Sequence, residues 1–349
     1  MPCGSRSIAG SWHRERSGMH HFSARGAAML SWLYGCSHLP TGHLKKVGLA
    51  IGALLLAGGS TDAQPQIPQP YQVSVNVDLV LLNAAVRNRS GGSVPDLGEQ
   101  DFEIYEDGAR QAIRLFRHED IPVTVGLVVD HSGSMRSKLT DVIAAARTFV
   151  QLSSPEDEMF VINFNEKVAL GLPPNVPFTN RPDELARAIS EVPAAGQTAL
   201  YDAIVRAQLR MRTSRLEKKV LLVISDGGDN VSQHTLAEVL ALAGRSSTMI
   251  YTIGIFDSED PDRNPAVLKR LALATGGEAY FPRQYSEVVA ICERIARDIR
   301  HQYTLGYVSA NVARPGSWRA IQVVARGAGK SKLSVRTRSG YVAAGEAAK

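Results

Sequence analysis

The stretch VGLVVDHSGSM, Val125–Met135, runs from five apolar or small residues into a carboxylate and then alternates hydroxyl side chains with glycine. The apolar part is typical of a strand, and Asp130 stands where that strand ends. In an open parallel sheet, ligands bind in the crevice outside the carboxyl ends of the strands. In a parallel sheet, this stretch would therefore supply both a core strand and the beginning of a binding site.

From Pro122 onward, apolar runs alternate with helical patterns, as a parallel sheet requires. We predict strands at 123–129, 159–164, 219–225 and 248–256, and helices near 137–151, 183–191, 201–212, 235–243, 265–275 and 286–300. The strand at Val220–Ile224 is apolar on both faces, which places it in the middle of a sheet that helices cover on both sides. The fold class is therefore α/β, with a doubly wound, Rossmann-like domain at 122–301.

The two flanks of this domain have a β texture and opposite charges. Short strands are expected near 73–79, 102–105 and 113–116, and again near 303–308, 320–325 and 333–337. Residues 64–121 carry 5 basic and 9 acidic side chains, and residues 302–349 carry 8 basic and 1 acidic side chain. Each flank alone is too short to bury a sound core, and opposite charge favours their pairing. We therefore predict one small β-sandwich-like domain, built from 72–121 and 302–343, into which the α/β domain is inserted.

The segment before this β-domain is typical of an exported protein. Lys45 and Lys46 precede an apolar run, Val47–Ala57, and small residues follow up to Ala63. Such an order of charge, apolar run and small residues is that of a secretory signal peptide. We predict a signal peptide and upstream extension over 1–63, cleaved near Ala63, then a proline-rich linker at 64–71 and, at the other end of the chain, a tail at 344–349.

The predicted destination is outside the inner membrane of a bacterial cell: periplasm, cell surface or medium. The alternative is an uncleaved anchor, the one route by which we expect the protein to touch a membrane. The segment before Val47 is longer than the charged N-terminal region of a usual signal peptide. Translation is therefore expected to start downstream, at Met29 or another codon.

Removal of the signal changes the charge and the cysteine count. The whole chain has a net charge of +5; residues 1–63 hold 6 basic and 2 acidic side chains, so 33 basic and 32 acidic side chains remain. A chain this close to neutral has no general basic field to attract nucleic acid. Cys292 would be the single cysteine left, so no intramolecular disulfide is expected. It falls in an apolar helical stripe, where a buried thiol is favoured over a reactive one.

Two further loops can reach the crevice at Asp130. One is Gly196–Asp202, GQTALYD, which opens a helix, and the other is Ser225–Asn230, SDGGDN, which follows a strand. With the first loop they offer two carboxylates and three hydroxyls, from Asp130, Ser132, Ser134, Thr198 and Asp226. Such a set of oxygens suits a hard divalent cation: Mg²⁺, with Mn²⁺ or Ca²⁺ as alternatives.

The pattern Asp130-x-Ser132-x-Ser134, with Thr198 and Asp226, resembles the metal-ion-dependent adhesion site of von Willebrand factor type A (VWA) domains. The resemblance implies that the two serines ligate the metal directly. Thr198 would do so when a ligand is bound, and the two aspartates would act mainly through water. The open position of the metal would take an Asp or Glu carboxylate from a partner protein. His131 stands at a variable position of the motif and receives no ligand role.

The flanks also resemble one group of proteins, the VWFA-related proteins described mainly from Acidobacteria. The similar segments are DFEIYEDG at Asp101–Gly108, Tyr303-x-Leu305-Gly306-Tyr307 and a terminal Gly340-Tyr341. The likeness therefore extends over most of the chain that follows the predicted signal.

Three functions compete. The favoured one is an exported, metal-dependent, adhesion-type binding module that is not an enzyme. The alternative is a structural or assembly component of the cell envelope. A metal-assisted hydrolase is less favoured, because an aspartyl nucleophile at Asp130 would want a second acid two residues on, where Ser132 stands.

Several other motifs have ordinary explanations. Asp202 is expected to cap or solvate its own helix, and Asp229 is a weaker candidate than Asp226 for the metal. The acidic loop Asp257–Asp262 lacks the spacing of a calcium loop, and Gly327–Ser331 lacks the first glycine and the helix of a phosphate loop. We assign nothing to the glycosylation sequon at Asn230–Ser232. We expect a basic edge to be a solvated strand face or a contact to the acidic flank; it comprises Lys330, Lys332, Arg336 and Arg338.

Overall fold

The computed structural model describes residues 79–118, 120–256, 263–311, 316–327 and 333–343. These residues all belong to one compact unit, Gln72–Lys349. The predicted signal, the linker, the tail and the acidic loop Asp257–Asp262 lie outside them, as does most of Gly327–Ser331. Within the described ranges, no helix is long and apolar enough to span a bilayer.

The elements alternate as the apolar pattern predicts. The strands are β1 Leu79–Arg87, β2 Phe102–Glu106, β3 Ala109–Gln111, β4 Ile113–Arg117, β5 Val123–Asp130, β6 Glu158–Phe164, β7 Val168–Leu170, β8 Lys218–Ser225, β9 Met249–Gly254, β10 Ala279–Tyr280, β11 Tyr303–Val308, β12 Trp318–Ala325, β13 Ser334–Arg336 and β14 Gly340–Val342. The helices are α1 Leu139–Gln151, α2 Pro182–Ser190, α3 Leu200–Met211, α4 Leu236–Gly244, α5 Pro265–Thr275 and α6 Glu287–Arg300.

A six-stranded sheet forms the centre of the α/β domain, in the order β10-β9-β8-β5-β6-β7. Every neighbouring pair is parallel except β6 and β7. Strand β5 is buried along its whole length, because α1 packs with α2 and α6 while α4 packs with α3 and α5. This arrangement confirms the doubly wound α/β fold and brings the carboxyl ends of β5 and β8 side by side.

The flanks form two four-stranded sheets, β13-β1-β11-β4 and β14-β12-β2-β3, and each sheet takes strands from both flanks. The pairs β1–β11 and β2–β12 are antiparallel, with Leu82 opposite Leu305 and Ile104 opposite Val323. These side chains are buried in one shared apolar core, in which the ring of Phe102 lies 4.9 Å from that of Tyr303. The predicted β-sandwich built from both flanks is therefore confirmed.

The basic edge of the second flank makes only part of the contacts expected from the sequence. Arg336 forms ion pairs with Glu278 and Asp298 of the α/β domain, and Arg338 donates to the carbonyl of Gly244 at the end of α4, at 2.7 Å. The strand that carries Arg336 does pair with β1 of the acidic flank, with Arg336 opposite Ala85, but the charged groups of both arginines bind to the α/β domain. The charge imbalance was visible in the sequence, but the register that turns these side chains toward the α/β domain was not.

Candidate metal site

Asp130 is the last residue of β5 and is fully buried. One carboxylate oxygen accepts the backbone N–H of Ser132 at 2.8 Å, and the other accepts the hydroxyl of Ser225 at 2.6 Å. Both oxygens are therefore engaged inside the protein. They hold the turn after β5 against the end of β8, which suits a residue that positions ligands.

Ser132, Ser134 and Asp226 form one polar cluster. The two serine hydroxyl oxygens are 3.1 Å apart, and Ser134 donates a hydrogen bond to Oδ2 of Asp226. Oδ1 of Asp226 accepts the N–H of Gly228 at 3.1 Å. Together with Asp130, four of the five residues named from the sequence are joined through hydrogen bonds at the carboxyl ends of β5 and β8.

Thr198 lies on the third loop, immediately before α3, and is almost fully buried. Its N–H donates to Oδ1 of Asn230 at 2.9 Å, and the N–H of Asn230 donates to its carbonyl at 3.0 Å. The N–H of Gly133 donates to the carbonyl of Gly196 at 3.1 Å. The threonine loop is thus joined to both of the others, although within the described ranges its hydroxyl makes no hydrogen bond to the other four side chains.

Two glycines let the loops turn so tightly. Gly196 and Gly227 both have φ of +82°, a conformation that L side chains rarely adopt. A Cβ on Gly227 would lie 2.5 Å from the carbonyl oxygen of Asn264. Any larger residue there would push Asp226 and its loop out of position.

The site carries two carboxylates, Asp130 and Asp226. Burial, and secondarily the nearby charge of Asp226, raise the pKa of Asp130 to about 6. In the part of the chain that the structure describes, neither carboxylate forms an ion pair with lysine or arginine. Buried charges are normally paired or coordinate a metal, so the site fits a divalent cation.

The kind of metal follows from the donors. The described residues contain no group of three or more His, Cys, Asp and Glu side chains placed to share a metal. The donors on hand are carboxylate and hydroxyl oxygens, the ligands that Mg²⁺, Mn²⁺ and Ca²⁺ take. The predicted set is therefore chemically consistent with a hard cation.

The remaining candidates hold the loops together. Asp229 accepts the N–H of Tyr201 at 2.9 Å and the hydroxyl of Ser232 at 2.6 Å, so it is not placed to compete with Asp226. Asp202 accepts the N–H groups of Gln233 and His234, both at 3.0 Å. Asp202 lies in the first turn of α3, but its carboxylate bonds to the loop that enters α4.

His131 turns away from the hydroxyls. Its Nε2 lies 3.0 Å from Oδ1 of Asn163 in β6, and burial lowers the pKa of the imidazole.

Sequence reasoning missed the supporting roles of Ser225 and Asn230. The one signal was their position in the same strand-end loop as Asp226.

The von Willebrand factor type A domain family matches residues 125–228, a span that includes all five candidate ligands. No curated protein matches the chain. Among solved structures, a von Willebrand factor type A protein from Catenulispora acidiphila is 14% identical, with 77% of this chain and 74% of that chain covered and a TM-score of 0.46.

Two shorter structures cover about half of this chain. BatB from Bacteroides thetaiotaomicron is 16% identical over 50% of this chain and 98% of its own, with a TM-score of 0.42. The vWF domain of the type V pili tip protein Mfa5 from Porphyromonas gingivalis is 16% identical over 51% of this chain and 95% of its own, with a TM-score of 0.43.

Proposed function

We propose that this chain, which contains a von Willebrand factor type A domain, is an exported module that binds a carboxylate of a partner protein through Mg²⁺. One observation carries the proposal. Asp130 and Asp226 are buried next to the hydroxyls of Ser132 and Ser134, and in the described residues neither carboxylate has a basic partner. A divalent cation would compensate this charge.

The residues at the site define how the cation would be held. Ser132, Ser134 and Thr198 would offer neutral oxygens, and Asp130 and Asp226 would act mainly through water. Hydroxyl ligands add no charge, so a bound Mg²⁺ keeps enough positive charge to favour one more anionic oxygen. An Asp or Glu side chain of a partner supplies such an oxygen, and Mn²⁺ or Ca²⁺ could occupy the same ligands.

A binding role suits the site better than catalysis. A hydrolase needs a general base within hydrogen-bond reach of its nucleophile. His131, the nearest histidine in the sequence, is buried and engaged with Asn163. Export rests on the signal-like order of residues 45–63, and it places the partner in the envelope or outside the cell.

Calorimetric titration of the full chain with Mg²⁺ and Mn²⁺ tests the proposal. Saturable binding is expected in the unmodified protein and should be lost in Asp130→Ala and Ser132→Ala while their circular dichroism is unchanged. Ser137→Ala is the matched control, because this exposed serine lies just beyond the same turn. The control should bind as tightly as the unmodified chain.

The opposite result would favour a different function. If the unmodified chain binds neither metal, the carboxylate-binding proposal fails, and a structural role in the cell envelope becomes the better explanation. If it binds metal, acetate should displace a water from the Mn²⁺-loaded protein and lower the relaxation enhancement of solvent protons. An unchanged enhancement would contradict the open coordination position.

A further inference from the structure

We propose that a groove between the two domains, along the free edges of β10 and β13, binds an extended acidic segment of another protein. The groove has a volume of about 580 Å³. The α/β domain contributes α5 and β10 to its walls, and the sandwich contributes β1 and β13. This surface is separate from the candidate metal site, because β9 lies between β10 and the strand that leads to Asp226.

Two sheet edges border the groove. Among the described residues, β10 pairs with β9 alone, and β13 is the outermost strand of its sheet, although Leu333, just before it, donates to the carbonyl of Ala325 in β12 at 3.1 Å. Both Ala279 of β10 and Val335 of β13 line the groove. An unpaired strand edge presents N–H and C=O groups to which an extended peptide can add. Strand edges of this kind favour an extended ligand over a helical one.

Two large apolar side chains offer anchoring positions. Leu273 of α5 is 52% exposed, and Phe281, just after β10, is 39% exposed. The ring of Phe281 stacks on that of Phe256 with 5.6 Å between centroids, which holds it in place. Since alternate side chains of an extended peptide point to the same side, one or two of its apolar residues would cover these surfaces.

The charge of the groove selects the polar residues of the ligand. Three cations line it, Arg87, Lys269 and Arg336, against one acid, Glu278. Asp298 pairs with both arginines and reduces the excess, but a net positive charge remains. Lys269 is exposed. A peptide that alternates acidic and apolar residues would complement both the charge and the apolar surface.

Fluorescence anisotropy with defined peptides tests this proposal. The probe is a fluorescein-labelled heptapeptide, Glu-Val-Glu-Phe-Glu-Val-Glu, added to the full chain. We expect saturable binding that is about tenfold weaker when lysine replaces glutamate. Binding should disappear when alternate peptide nitrogens are methylated, because methylation removes the N–H groups that pair with a strand edge.

Variants of the chain locate the binding surface. The double substitution Leu273→Asp and Phe281→Ser should weaken binding by about tenfold or more, and Lys269→Glu, an exposed change that spares the core, should weaken it as well. Leu209→Asp is the matched control, since Leu209 is 46% exposed on α3 and does not line the groove. These titrations are run in a chelating buffer, because the glutamates of the probe would otherwise bind a metal held at Asp130 and Asp226, so this proposal and the metal-site proposal can fail separately.

Several outcomes would overturn the proposal. They are absence of saturable binding, equal affinity for the lysine peptide, full retention of binding after N-methylation, and unchanged affinity in the groove variants. Sedimentation of the unlabelled chain can give one more outcome that would overturn the proposal. A dimer that the double substitution dissociates would show that the groove is an interface between copies of this chain.

Discussion

At the scale of single residues, Asp130 combines full burial with a like charge nearby, and this combination gives a pH dependence. Its pKa is raised from 3.8 to about 6, so in that window the folded state binds a proton that the unfolded state has lost. The metal-free protein should therefore lose stability as the pH rises from 4 to 6, by up to about 3 kcal/mol. Other groups titrate there too, so the quantity to measure is the difference from Asp130→Asn.

Urea unfolding in a chelating buffer between pH 4 and 7 gives this difference. Asp130→Asn should remove the part of the slope that Asp130 contributes. In excess Mg²⁺, the contribution of Asp130 should instead increase the stability as the pH rises, because the cation binds the ionised carboxylate. Identical pH slopes in the unmodified chain and in Asp130→Asn would contradict the prediction.

Gly227 tests the geometry of the same loop. In Gly227→Ala the residue keeps a left-handed φ, which costs about 1–2 kcal/mol, and its Cβ meets the carbonyl of Asn264, which adds about 1–3 kcal/mol. Gly91→Ala is the control. Gly91 has φ of +83° and no atom within 4 Å of the added Cβ, so this variant has the cost of the left-handed φ without the clash.

Thermal unfolding and Mg²⁺ titration of both variants separate the two effects. Gly227→Ala should be the less stable variant and should also bind Mg²⁺ more weakly, because Asp226 precedes it. Equal stability and equal affinity in the two variants would show that the loop relaxes without moving the carboxylate.

The sequence was sufficient to place four of the five candidate ligands together, because the topological rule depends only on where strands end. It could not assign the residues that hold them. Whether a carboxylate oxygen is bound by Ser225 or by a basic side chain depends on loop conformation, which no periodicity encodes. Asp202 illustrates the same limit, since its carboxylate bonds to residues 31 and 32 positions further along the chain.

At the scale of elements, the loop between β8 and α4 supports the threonine loop, and Asn230 provides the contact. Asn230→Ala removes the acceptor for the N–H of Thr198, so we expect Mg²⁺ affinity to fall about tenfold or more, as for other residues that support metal ligands. Asn230→Asp keeps an acceptor oxygen in place and should retain most of the affinity. Equal losses in the two variants would mean that the side chain has no positioning role.

The long elements could be predicted, and among the strands of two or three residues that the structure describes, β13 alone was, as part of 333–337. All six helices that the structure describes lie within two residues of their predicted bounds, because each has a full apolar stripe or an uninterrupted pattern between turn residues. Strands β3, β7, β10 and β14 have two or three residues each, too few for any period to be recognised. The alternation at 73–79 falls mostly outside the described residues, and β1 continues to Arg87 through LVLLNAAVR, a run without clear alternation.

At the scale of the whole molecule, the two halves of the sandwich meet across the inserted domain. Tyr307 donates to the buried Glu106 across 201 positions of the chain, and such a closure is entropically costly. The ion pair between Arg300 and Asp120, at 2.7 Å, joins the end of α6 to the segment that enters β5. The α/β domain therefore serves as the structured connection between the two halves of the sandwich.

The charged contact between the domains should make them unfold together. Arg87 lies 2.7 Å from Glu278, and Arg336 pairs with both Glu278 and Asp298, all of them largely buried. The double substitution Glu278→Gln and Asp298→Asn leaves two arginines without their partners, and breaking a buried pair in this way costs about 3 kcal/mol. We expect one calorimetric transition in the unmodified chain and two in the variant, because the domains would then lose their main polar contact.

An exposed ion pair supplies the control for this prediction. Arg147 and Asp183 are 3.2 Å apart with side chains 51% and 76% exposed, so Asp183→Asn should change stability by less than about 1 kcal/mol and leave a single transition. A single, unshifted transition in the double variant would show that apolar packing between the domains suffices to couple them. Two transitions already present in the unmodified chain would show that the charged contact does not couple the domains at all.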